Sequence, residues 1–107
     1  MIEIKIYSLP NGKEPFTEWL DSLDYQTQAI LAARIERVKL GNFGNCESVG
    51  IGVSELKIFY GPGYRIYFAK VGNRLILFLL GGDKGTQKQD IKRAQRYWVD
   101  YQGKKRG

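Results

Sequence analysis

The sequence contains no histidine and a single cysteine, Cys46. An intrachain disulfide is therefore impossible, and the ligand sets of the usual zinc and haem sites are missing. What remains points to metal-free chemistry without a cofactor, in a reducing compartment. Long apolar runs are lacking too: Leu75 to Leu80 is the longest, far short of the ~20 residues that span a bilayer. Met1-Ile2-Glu3-Ile4-Lys5 alternates apolar and charged residues, whereas an export leader has a basic start and then an apolar stretch. The expectation is a cytoplasmic chain with no membrane partner. Acidic residues are in the minority, 11 against 17 Lys and Arg, for a formal charge of +6. Such an excess favours a polyanionic partner.

At 107 residues the chain has apolar material for one core, not two. Residues 1–102 are predicted to form that domain, and 103–107 a basic flexible tail. Ile2, Ile4 and Ile6 alternate with charged or polar neighbours as a strand with one buried face requires. Pro15 is placed to start a helix carrying Phe16, Trp19, Leu20 and Leu23. Asp24 is placed to cap a second helix that ends at Gly41. No apolar periodicity runs from Gly41 to Gly52, so a loop is predicted there. Three strands follow: one through Leu56 and Ile58, one over Tyr64 to Val71, and one over Arg74 to Leu80, with Gly61-Pro62-Gly63 and Gly72-Asn73 as turns. The last is apolar at nearly every position, the pattern of a central strand covered on both faces. Thr86 and Gln89 have capping-box spacing for a final helix packing through Ile91, Ala94, Trp98 and Tyr101. The predicted fold is α+β, a small twisted antiparallel sheet packed with helices in the order β-α-α-β-β-β-α.

Placing Pro62 at the centre of the first turn pairs Phe59 with Arg65 and Lys57 with Tyr67; Gly72-Asn73 as a two-residue turn pairs Arg65 with Leu80. Lys57, Arg65, Tyr67 and Lys84 then converge, with Ile76 and Phe78 on the same sheet face. Metal-free RNA cleavage needs a base for the ribose 2′-proton, cations for the crowded phosphate and an acid for the 5′-oxygen. Lys and Arg can supply these groups, and docking to a larger particle would supply the reactive orientation. Lys88, Lys92 and Arg96 recur every four residues on the last helix. With Lys104, Lys105 and Arg106 they form a candidate surface for ribosomal RNA.

Glu55-Leu56-Lys57, Gly63-Tyr64-Arg65-Ile66-Tyr67-Phe68 and Leu79-Leu80-Gly81-Gly82-Asp83-Lys84 to Gln89-Asp90-Ile91 together resemble the RelE/ParE superfamily. The likeness is strongest to its HigB-like, phage-related addiction-module killer branch, and it covers nearly the whole chain. The resemblance implies a RelE-like fold and a toxin held in check by a cognate antitoxin, commonly a helix-turn-helix DNA-binding protein. Ribonuclease members cut mRNA in the ribosomal A site. By that likeness Arg65 matches the arginine on the scissile phosphate, Lys57 a strand lysine of the active site, and Lys84 falls near a late basic position. Phe59 stands where those ribonucleases carry a second lysine. Two other readings fit the same residues: a ParE-like inhibitor of DNA gyrase on this fold, and a non-catalytic, phage-related nucleic-acid-binding protein.

Overall fold

The computed structural model describes residues 1–106, the side chains of Lys105 and Arg106 excepted. Its elements in chain order are β1 (Glu3–Ile6), α1 (Pro15–Asp21), α2 (Tyr25–Lys39), β2 (Cys46–Ser48), β3 (Val53–Ile58), β4 (Tyr64–Val71), β5 (Leu75–Asp83), a 3₁₀ turn (Lys84–Thr86) and α3 (Gln87–Arg106). The fold is α+β. One five-stranded sheet runs in the order β1-β5-β4-β3-β2.

Local chemistry explains the first helices. Pro15 opens α1, where its missing N–H costs nothing. The Asp24 carboxylate accepts from the Thr27 backbone N–H and hydroxyl and so caps α2. At the other end Gly41, at φ +89°, reverses the chain. Its N–H donates to Val38 O and that of Asn42 to Arg37 O, which closes the last carbonyls of α2.

The fold departs from expectation in three ways. It is mixed: β1 runs parallel to β5 while the other ladders are antiparallel. The segment predicted as a loop contains β2, a three-residue edge strand paired with β3, so the order is not the β-α-α-β-β-β-α predicted. Finally, α3 continues through Gly103 and Lys104, where a flexible tail was expected; Gly107 lies outside the described residues.

Both hairpins are shifted by turn geometry. Gly61 and Gly63 take positive φ (+56° and +81°), and Gly63 N–H donates to Tyr60 O. The turn therefore centres on Gly61, and Lys57 pairs with Arg65 and Glu55 with Tyr67. In the second hairpin Val71 pairs with Leu75, which leaves a three-residue loop. A bulge at Leu79 then moves Tyr67 opposite Leu80 and Arg65 opposite Gly82.

Apolar residues cover both faces. Phe16, Leu31 and Val38 of the first two helices pack on Leu56, Ile66, Phe68, Ile76 and Phe78. Ala94, Trp98 and Tyr101 of α3 pack on Val53, Tyr67, Ala69, Leu77 and Leu79. Ile76 and Phe78 thus lie on the face opposite Tyr67, a correction that follows from the one-residue change at the second turn. β5 is central, as its composition predicts, flanked by β1 and β4. No helix among the described residues is long and apolar enough to cross a membrane.

Candidate functional site

α3 covers the Tyr67 face of the sheet and leaves polar groups gathered where it begins, at the end of β5. Two glycines make this junction possible. A Cβ at Gly81 would stand 2.0 Å from Trp19 Cε3, and one at Gly82 would stand 1.9 Å from Asp90 Oδ2. Bare backbone at these positions lets α1 close on one side and the Asp90 carboxylate on the other. Asp83 caps the 3₁₀ turn by accepting from Gly85 N–H at 2.8 Å. Thr86, predicted as the cap of the last helix, donates its hydroxyl to Asp90 instead. Burial raises the Asp90 pKa above the usual range, opposed by the Thr86 hydroxyl and by Arg93.

Arg65 projects from β4 towards this junction and is only 7% exposed. Its Nη1 donates to Gly63 O at 2.6 Å. Gly63 separates it from Lys84: a Cβ there would lie 2.7 Å from Arg65 Nη1 and 3.7 Å from Lys84 Cβ. Among the described residues Arg65 forms no ion pair. Lys57, its cross-strand neighbour, is held by carboxylates. Its Nζ is 2.5 Å from Glu47 Oε2 on β2 and 4.0 Å from Glu55 Oε1. The hydrogen bond from Lys57, and then its charge, hold the Glu47 carboxyl below its ordinary pKa. Glu55 is buried and accepts from Gln87 Nε2 at 2.8 Å, tying β3 to the start of α3.

Tyr67 does not belong to an accessible site. It is fully buried, and burial, followed by the Glu55 and Asp90 charges, pushes its phenol pKa up. Lys84 is exposed and lines a depression of about 500 Å3 with Thr86, Gln87, Lys88 and Lys92. Lys88, Lys92 and Arg96 are exposed along one side of α3 and form no ion pair among the described residues. Lys104 stands apart at the far end of the helix. It is 3.2 Å from Asp100, which also accepts from the Tyr7 hydroxyl at 2.5 Å. The side chains of Lys105 and Arg106 lie outside the described residues.

Over 81 residues, 75% of this chain and 82% of the relative, the sequence is 44% identical to a Haemophilus influenzae protein described as "Uncharacterized protein". The chain belongs to that protein's family. No family model matches the sequence.

In this chain Lys57 and Arg65 are cross-strand neighbours and Lys84 lies across Gly63 from Arg65, whereas Tyr67, expected to converge with them, is buried. Sequence reasoning missed the carboxylates Glu47, Glu55 and Asp90 and the Gln87 amide. A usable signal existed for Glu55, which alternates in phase with Lys57 and so faces Tyr67 across the ladder. Among the described residues no group of three or more His, Cys, Asp or Glu side chains is disposed to hold a metal ion.

Proposed function

We propose that this chain is a cytoplasmic toxin of RelE type, a ribosome-dependent mRNA endoribonuclease restrained by a cognate antitoxin, with the RelE-like fold as its scaffold. One observation carries the reading. Arg65, free of ion pairs among the described residues, stands between Lys57 across the ladder and Lys84 across Gly63. Three cations carried by one end of the sheet suit a phosphate that gains charge as the 2′-oxygen attacks it.

The roles follow from what each group touches. Arg65 and Lys57 neutralise the phosphate, Lys57 being held in place by Glu47 and Glu55. Lys84, the exposed cation, gives a proton to the departing 5′-oxygen. Glu47 is the exposed carboxylate at this end and accepts the 2′-proton. Its lowered pKa makes it a weak base. Cleavage is therefore slow until the ribosome fixes the 2′-oxygen in line. Exposed Lys84, Lys88 and Lys92 around one depression supply contacts for ribosomal RNA.

Primer-extension mapping of cellular mRNA after induction tests this. Codon-linked cuts support it; gyrase-linked DNA damage without cuts replaces it with the ParE-like reading, and neither effect with the non-catalytic one.

A further inference from the structure

The hairpin joining β3 to β4 is rich in aromatic residues and sits at the end of the sheet that carries Lys57, Arg65 and Lys84. Phe59, Tyr60 and Tyr64 fall within six residues, around Gly61 and Gly63. Their packing is graded from core to solvent. Trp19 lies over Gly81 and meets Tyr64 edge-on at 6.1 Å, and Tyr64 stacks on Tyr60 at 6.5 Å. A rail of rings thus anchors the hairpin to α1. Beyond it Phe59 is 75% exposed, one residue past the last β3–β4 pair. It lies two residues from Lys57 along the chain, while Gly63 of the same turn accepts from Arg65, and a Cβ at Gly63 would meet Lys84 Cβ at 3.7 Å.

A single exposed ring is ordinary by itself; the position of Phe59 beside charged groups on an anchored turn sets it apart. The neighbouring charge indicates what covers it. An apolar protein surface would bring no counter-charge for Arg65 and Lys84, whereas a nucleotide brings a π-face and a phosphate together. From this juxtaposition we infer that Phe59 is a stacking platform for an unpaired base of a single-stranded RNA whose phosphate lies on Arg65 and Lys84. The inference rests on the RNA reading of the site and adds the position of the base. Stacking on one ring tolerates every base and requires that it be unpaired, so the surface selects single strands over duplex. The rail preorganises the turn, so little ordering accompanies binding.

The test uses the full chain and two fluorescein-labelled probes, an oligouridylate and an RNA duplex of equal length, with anisotropy read across a salt series. For Phe59→Ala the expected loss of affinity for the single strand is about 5- to 150-fold, the range of one base–aromatic stack. The salt slope stays unchanged, because no phosphate contact is removed. Phe59→Trp keeps the affinity. Lys84→Ala lowers both affinity and slope. Thermal unfolding of the variants confirms their fold, since Phe59 contributes little to the core. Equal single-strand affinity of Phe59→Ala and wild type overturns the inference and assigns the ring to a protein contact, while Lys84-dependent binding would leave the RNA reading intact. A chain that binds single strands through Phe59 yet cuts no mRNA upholds the inference and removes the ribonuclease reading.

Discussion

Lys57 and Arg65 face each other across the β3–β4 ladder, yet Lys57 is bonded to Glu47 at 2.5 Å whereas Arg65 forms no ion pair among the described residues. The asymmetry divides their work. On the proposed reading Arg65 is the cation left without a counter-charge for an incoming phosphate, and Lys57 would meet the same phosphate with a carboxylate alongside it. Sequence spacing alone makes the two cations equivalent; the edge strand β2 distinguishes them.

Glu47→Gln separates the roles of that carboxylate. As proton acceptor its loss lowers the cleavage rate by about 10²- to 10⁴-fold, while affinity for RNA holds or rises because a negative charge has left the site. The unfolding midpoint changes little, since Glu47 is exposed and ion pairs at the surface contribute little to stability. Faster cleavage in the variant would make Glu47 a mere counter-ion.

Much of the scaffold was legible because local chemistry dictates it. Pro15, Asp24 and Gly41 mark helix ends through groups within a few residues, and the Leu75 to Leu80 run needs burial on both faces. Register was not legible. Gly61 rather than Pro62 takes the turn's centre, and the bulge at Leu79 leaves no mark in composition. The parallel pairing of β1 with β5 joins residues about seventy positions apart, with no local signal. Of the site, the cations were legible and their counter-charges were not: Glu55 meets Gln87 across 32 residues, a contact only the sheet and α3 together create.

Asp90 provides a pH signature. Its folded pKa is raised, mainly by burial, so the folded chain holds that proton more tightly than the unfolded chain does. Its ionised form therefore costs stability above the folded pKa, and the cost is relieved as pH falls through that value towards the ordinary aspartate range. Urea unfolding of wild type and Asp90→Asn across acidic pH should show wild type gaining on the variant as pH drops. A constant difference would contradict the buried, raised carboxyl.

Packing at the junction is equally exposed to test. Gly82→Ala drives a methyl into Asp90 and Gly81→Ala drives one into Trp19, each costing about 1–3 kcal/mol by overpacking. Trp98→Ala, which empties the site stacked on Tyr101 at 5.9 Å, costs about 3–5 kcal/mol. Unmoved urea midpoints would refute the register of α3 on the sheet.

On the proposed reading the exposed ridge of α3 contacts phosphates of ribosomal RNA. Replacing Lys88, Lys92 and Arg96 with glutamine should weaken ribosome association and lower the slope of log affinity against log salt by about two units. Ribosome pelleting across a salt series reads both. Equal binding and slope would return these residues to a solvated helix face.

Arg65 is proposed to serve cleavage of ribosome-bound mRNA. The most direct measurement is cutting of a defined mRNA by purified protein, with and without ribosomes carrying an empty A site, for wild type, Arg65→Lys and Arg65→Ala. Wild type should cut at one position in the A-site codon and only with ribosomes. Arg65→Ala should be slower by about 10²–10³-fold and less stable by about 1–3 kcal/mol, because Gly63 O loses its buried donor. Arg65→Lys, which keeps the charge without the planar fork, should fall between the two. Wild-type cutting that is equally fast for Arg65→Ala, or no cutting by a folded wild-type chain on ribosomes, would contradict the account.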